Sequence, residues 1–286
     1  MAVRTHIVCC AMLPVVLCML CGANGEESTP GHTYALLVSG ICKDPNERLV
    51  KDRVINDLRA YLRDKVGLDP QRLAVLVSDN SPSLKSAGTS SSNNLKKVIE
   101  TFASAIGPAD RFVFYYIGQA NIVAETQNLA SHLRLNLPGP DITPKDLAAW
   151  LAAIKADTQT IILDCPCAAV AAKALAGRGR IILCASNENQ AYGTRFGVHF
   201  VPALSRAGND ANHDGKVSIL EAFTAAAREI EQWYREKQLL HTETPCLEDN
   251  GDGVPSERPW RYEQDGGDGR RAAESFLTAT GGNHDG

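Results

Sequence analysis

The sequence predicts an α/β protein in three layers, a mostly parallel sheet flanked by helices on both faces. Three observations carry this expectation. Five short apolar runs, at 34–38, 73–77, 112–117, 160–163 and 181–185, recur along the chain. The stretches between them place apolar residues at helical spacing. The runs are apolar throughout and do not alternate with polar residues, as expected of strands covered on both faces.

Composition is compatible with this reading. A chain of 286 residues, 44% apolar and 22% charged, supplies one large domain with a buried core. It is too apolar for a disordered chain. Its net charge of −4 argues against a protein that lives on nucleic-acid phosphates.

The first 25 residues read as an export signal. Met1 to Arg4 is a short basic start, residues 7–21 form an uncharged apolar run of 15, and Gly22, Ala23, Asn24 and Gly25 follow. The run is shorter than the ~20 residues that span a bilayer and suits a signal core cleaved after Ala23 or Gly25. A single membrane anchor is the alternative. A lipoprotein reading would use Cys21, but bulky Leu20 precedes it. Loss of Arg4 leaves 28 basic against 33 acidic residues, a mature charge of −5. No second run reaches membrane length. The mature chain is therefore expected in the periplasm, at the cell surface or secreted, without a transmembrane segment.

The first strand, 34–38, leads to a helix over 47–65 with Val50, Val54, Leu58 and Leu62 at helical spacing. The second strand is 73–77. A loop with six serines over 81–92 precedes a helix that Asn93 or Asn94 would cap and that runs to about Ile106. The third strand is 112–117. Residues 119–142 read as irregular, with a short strand pair around 133–137. Thr143-Pro144 caps a helix ending near Lys155, the fourth strand is 160–163, a helix covers 168–176, and the fifth strand is 181–185. The domain is expected over 32–245, and 246–286 as a Gly/Asp-rich tail whose last residues, 278–286, are loose.

Function in such sheets collects beyond the carboxyl ends of the strands. Here those ends are Gly118-Gln119-Ala120-Asn121, Asp164-Cys165-Pro166-Cys167 and Ser186-Asn187-Glu188. There is no glycine-rich phosphate loop, no His-Glu-x-x-His and no Gly-x-Ser-x-Gly elbow.

Over roughly residues 33–240 the order of elements resembles the caspase-like cysteine peptidases, the group that also holds legumains, metacaspases and gingipains. The resemblance rests on residues 34–40, on Asn56-Asp57 with Leu58 and Leu62, on the third strand ending at Gly118, and on Ile161-Ile162-Leu163-Asp164. It implies a histidine base in Gly-His-Gly after the third strand and a nucleophile in Asp-x-Cys-x-Ser-Gly after the fourth. This sequence departs from both motifs. Gln119 stands at the histidine position and Ala120 at the next glycine, Pro166 at the cysteine position, and Ala168-Ala169 at Ser-Gly. Glutamine has no proton to exchange near neutral pH, and proline offers no nucleophile. The resemblance therefore implies a pseudopeptidase with vestigial positions Gln119, Cys165, Pro166 and Cys167, and a protein or peptide ligand at the vestigial cleft. The alternative is an active cysteine endopeptidase using Cys165 or Cys167 with a borrowed base such as His132. A receiver-like signalling domain fits poorly, since the acidic cluster such domains carry after the first strand is missing.

A second constellation is independent of that resemblance. Residues 210–221, Asp-Ala-Asn-His-Asp-Gly-Lys-Val-Ser-Ile-Leu-Glu, match the twelve-residue EF-hand loop. Asp210, Asn212 and Asp214 would bind Ca2+ through side-chain oxygens and Lys216 through its backbone carbonyl. Ser218 would use its hydroxyl or a water, and Glu221 both carboxylate oxygens. Gly215 allows the sharp turn and Val217 braces the loop. The helix that follows shows an apolar stripe of Ile219, Phe223, Ala227, Ile230 and Trp233. Residues 248–253 copy the start of such a loop but meet Pro259 at position twelve, so a second site is expected to be weak or absent.

Four of the nine cysteines lie in the leader. Cys42, Cys165, Cys167, Cys184 and Cys246 remain, an odd number for an oxidising compartment.

Overall fold

The computed structural model describes Met1, residues 31–78, Leu84, residues 88–124 and residues 131–277. The segment after Met1 expected as an export signal, most of the serine loop and residues 278–286 lie outside the described residues.

Seven strands form one sheet: β1 (Thr33–Ser39), β2 (Leu73–Val77), β3 (Gly88–Thr89), β4 (Arg111–Ile117), β7 (Thr158–Asp164), β8 (Arg180–Cys184) and β9 (Cys246–Glu248), in the order β3-β2-β1-β4-β7-β8-β9. All pairs are parallel except β8 with β9. The three-layer α/β architecture with a mostly parallel sheet is thus the observed one. A separate antiparallel hairpin pairs β5 (Ala120–Ala124) with β6 (Ser131–Leu135). Its pairing lies earlier in the chain than the 133–137 expectation, because Leu135 is already opposite Ala120 at the hairpin's open end.

Helices start where side chains satisfy their first free N–H groups. Helix α1 (Pro45–Asp64) begins after Asp44, whose carboxylate accepts from the N–H of Asn46 at 2.7 Å and of Glu47 at 3.3 Å. Helix α2 (Ser92–Ala105) is capped by Ser91, not by either asparagine, since the Asn94 side chain donates to the Thr89 carbonyl at 2.9 Å. Helix α3 (Pro144–Leu151) opens with a capping box of Thr143 and Asp146 and stops before Lys155, the N–H groups of Ala153 and Ile154 turning to carbonyls three residues back. Residues 168–176 split into a 3₁₀ turn, Ala168–Ala171, and the short α4 (Ala172–Leu175).

Two apolar clusters occupy the two faces of the sheet. One joins α1, α5 (Phe196–Ala203) and α6 (Ile219–Glu236) to the alternate residues Ala35, Leu37, Val113 and Tyr115. The other joins α2, α3 and α4 to Leu36, Val38, Phe112 and Phe114, and holds Cys165, Cys167, Cys184 and Cys246. Successive apolar residues of β1 and β4 point to opposite faces and are buried on both, whereas Leu73, Ala74 and Val75 of β2, nearer the sheet edge, are only partly buried.

The chain after residue 245 is not a tail. β9 extends the sheet, and α7 (Tyr262–Asp265) and α8 (Arg270–Ala273) follow it. Ala272 and Leu277 are buried in the core. Cohesion comes from buried aspartates: Asp249 accepts from the N–H of Gly269 and of Ala272, each at 2.8 Å. Among the described residues, no helix is long and apolar enough to cross a membrane.

Candidate functional site

In the strand order, β1 has β2 on one side and β4 on the other, so successive connections diverge there and leave a crevice beyond the carboxyl ends. A cavity of about 990 Å³ opens at that point. The segments after β1, β4, β7 and β8 line it together with α6 and Leu239, Leu240 and Thr242.

Asp164 forms the floor at the end of β7. Its carboxylate is 1% exposed and accepts from Tyr115 Oη at 2.8 Å, Thr194 Oγ1 at 2.6 Å and the Gly197 N–H at 2.8 Å. Burial raises its pKa, against the pull of those three donors and of Lys51. With its oxygens engaged on three sides, Asp164 is a structural anchor for α5 and not an available base. Gly197 is required by this contact: an added Cβ would lie 2.2 Å from Tyr115 Oη and 2.5 Å from Asp164 Oδ2.

Gln119 and Pro166, the positions where the resemblance implies base and nucleophile, line the same cavity. Gln119 is fixed through its backbone, its N–H donating to the Ile41 carbonyl at 3.2 Å and its carbonyl accepting from Tyr116 Oη at 2.7 Å. The turn carrying Pro166 is fixed by Ser186, whose hydroxyl donates to the Cys165 carbonyl at 2.9 Å and accepts from the Ala168 N–H at 3.2 Å.

Cys165 and Cys167 do not line it, and among the described residues no histidine does. Both thiols face the apolar cluster on the α2–α4 side. Burial raises both pKa values, that of Cys165 far above the ordinary thiol value, with a further push from Asp164. A thiol so placed is held as the poorly nucleophilic protonated form. His132 lies on β6 opposite Val123, away from the cavity lining. Of the other three free cysteines, Cys184 and Cys246 face each other directly across β8 and β9, and Cys42 lies apart after β1.

Other lining groups carried no local signal in the sequence. The Arg195 guanidinium lies 3.7 Å over the Trp233 ring, and its Nε is buried without a hydrogen-bond partner. Trp233, expected only as core, therefore serves as a platform for a cation at the cavity wall. Behind it, Glu243 is fully buried and accepts from the Arg195 N–H through both oxygens, at 2.8 and 2.9 Å. Burial, with the nearby charge of Asp164, pushes the Glu243 pKa up to about 8. Lys43 also lines the cavity, as do the exposed Leu239 and Leu240. The wall thus offers cations next to apolar surface.

The loop 210–221 lies between α5 and α6, far along the chain from these strand ends. Its carboxylates are turned on backbone N–H groups. Asp210 accepts from Asp214 and Gly215 at 3.1 and 2.9 Å, Asp214 from Lys216 at 2.9 Å, and Glu221 from Ala211 at 2.8 Å. Ser218 and Glu221 also form the capping box of α6. Among the described residues, no three His, Cys, Asp or Glu side chains are gathered to hold a metal ion.

Fold and cleft together define an α/β protein with a ligand-sized crevice at the point where the strand order diverges. No family model matches the sequence, and no curated protein matches it. Among solved structures, the chain is similar to protein GSU0716 from Geobacter sulfurreducens, with a TM-score of 0.51 and 14% identity over 80% of this chain and 97% of that one. It also aligns with caspase-1 from Spodoptera frugiperda, with a TM-score of 0.49 and 11% identity over 77% of this chain and 87% of that one. At these identities the likeness concerns the fold alone.

Proposed function

We propose that this is an exported caspase-like domain that has lost peptidase chemistry and binds a protein or peptide at the strand-end cleft, with Ca2+ held in loop 210–221. One observation carries the reading: among the described residues, Gln119 and Pro166 line one cavity while no cysteine or histidine does. Cysteine peptidase chemistry needs a thiolate and an imidazole within reach of one carbonyl. The cavity instead offers an amide, a proline ring, the Arg195 cation on Trp233, and exposed Leu239 and Leu240. Such a wall suits a peptide that combines an acidic group with an apolar one.

For calcium, the supporting observations are the complete twelve-residue pattern and its placement between two helices of the core. The loop's donors are three carboxylates, an amide, a hydroxyl and a backbone carbonyl, the hard oxygen set that Ca2+ takes. An exported protein meets enough calcium to fill even a site of about 10⁻⁴ M affinity.

The test is incubation of the purified mature protein with a peptide library, with and without calcium. No cleavage is expected. Cleavage that disappears in Cys165→Ala or Cys167→Ala would overturn the pseudopeptidase reading.

A further inference from the structure

Residues 248–253 stop resembling an EF-hand loop at position twelve, where Pro259 stands. The fold supplies the missing carboxylate from elsewhere. Asp268 Oδ1 accepts from the N–H of Asp249 at 2.9 Å and of Asn250 at 3.2 Å. Glu221 Oε1 makes the same two bonds in loop 210–221, to Ala211 at 2.8 Å and Asn212 at 3.3 Å. Counted from Asp210 and from Glu248, these are positions two and three of each loop.

Three further bonds recur at the same positions, while Asp214 N–H to Asp210 in one loop and Gly251 N–H to Glu248 in the other have no counterpart. Position five donates to position three: Asp214 to Asn212 at 3.0 Å, Asp252 to Asn250 at 2.8 Å. Position seven donates to position five: Lys216 to Asp214 at 2.9 Å, Val254 to Asp252 at 2.7 Å. Position six donates to position one: Gly215 to Asp210 at 2.9 Å, Gly253 to Glu248 at 3.4 Å. Positions four and six have positive φ in both, His213 and Gly215 in one, Gly251 and Gly253 in the other.

An independent observation points to a ligand. Glu248 has no exposed surface, and its Oε2 is buried without a hydrogen-bond partner. Its acidic neighbours are Asp268 and Asp252. Among the described residues no Lys or Arg forms an ion pair with any of the three. A buried carboxylate oxygen without a partner, in the field of two more carboxylates, is costly unless a cation compensates it.

We propose that Glu248, Asn250, Asp252 and the Val254 carbonyl, completed by Asp268 from twenty residues beyond Glu248, form a second Ca2+ site. It is an EF-hand-type loop whose twelfth ligand is non-contiguous. The hard oxygen donors and the absence of His and Cys select Ca2+ over transition metals. The carboxylates are spread over backbone N–H groups, and the ion draws them to one point.

The test is equilibrium dialysis of the full chain against calcium chloride up to millimolar concentration, with bound ions counted per chain. Two ions are expected in the wild type, one in Glu221→Gln, one in Asp268→Asn and in Asp252→Asn, and none in the Glu221→Gln, Asp252→Asn double variant. Asp252 is exposed, so its variant decides the matter should Asp268→Asn not fold. If Glu221→Gln abolishes all binding, or if folded Asp252→Asn keeps every ion the wild type holds, the second site does not exist. One ion in the wild type, kept by Glu221→Gln and lost in Asp252→Asn, supports this site while sinking the loop 210–221 reading.

Discussion

Glu243 should make the protein less stable as the pH rises through neutrality. Its ordinary pKa of 4.5 is pushed up to about 8 in the fold, first by burial and then by the charge of Asp164. Between those values the folded chain holds a proton that the unfolded chain releases. Stability from this group is therefore complete below about pH 4.5 and is lost as the pH approaches 8. Integrating the two titrations from pH 5 to pH 7 gives a loss of about 2.5 kcal/mol. For a domain of this size that corresponds to about 5–10 °C in melting temperature. The assay is thermal unfolding at pH 5, 6 and 7 with calcium chelated, for the wild type and Glu243→Gln. Glutamine can still accept from the Arg195 N–H and has nothing to titrate. Asp164, whose pKa is also raised by burial, tilts stability the same way in both proteins. The variant should therefore show the shallower pH slope, by about 1 kcal/mol per pH unit. Equal slopes in the two proteins would refute the assignment of the buried proton to Glu243.

Chelation with EDTA should lower the melting temperature and calcium should restore it, with a smaller shift in Glu221→Gln; no shift beyond error in the wild type would remove calcium from the account. Gly197→Ala should cost about 2–4 kcal/mol, because a methyl 2.2 Å from Tyr115 Oη must displace donors from buried Asp164; a loss under about 0.5 kcal/mol in denaturant unfolding would show that the contact relaxes freely. A maleimide probe should label Cys165 and Cys167 far more slowly in the native protein than after unfolding, as both are buried; rapid native labelling of either would revive the peptidase alternative.

Much of the fold was legible because its signals are local. Continuous apolar runs marked the buried strands, and Thr143-Pro144 marked the start of α3. The cap of α2 was misplaced because Ser91, Asn93 and Asn94 are all good caps, and the Asn94 contact with Thr89 that settles the choice is visible only in the fold. The cleft was legible as strand ends but not as a binding wall. Nothing near Arg195 in sequence announces Trp233, and nothing near Glu243 announces that it is buried. The reading of 246–286 as a tail failed for a related reason. Its glycines and acidic residues look solvated, whereas Asp249 and Asp268 are 6% and 3% exposed and take their partners from one another's loops.

That exchange of partners sets an order of assembly. Asp268 holds the N–H groups of residues 249 and 250, and Asp249 holds those of residues 269 and 272. Neither aspartate is satisfied until both segments are in place, so this knot cannot form before the chain has reached residue 272. Loop 210–221, by contrast, closes within its own twelve residues. A chain growing from its amino terminus completes the first five strands of the sheet's interior before residue 268 exists, and the edge strand β9 is fastened last. A nascent or truncated product ending before 268 would carry a finished cleft beside an unfastened sheet edge, and that edge is where strand pairing with other molecules begins.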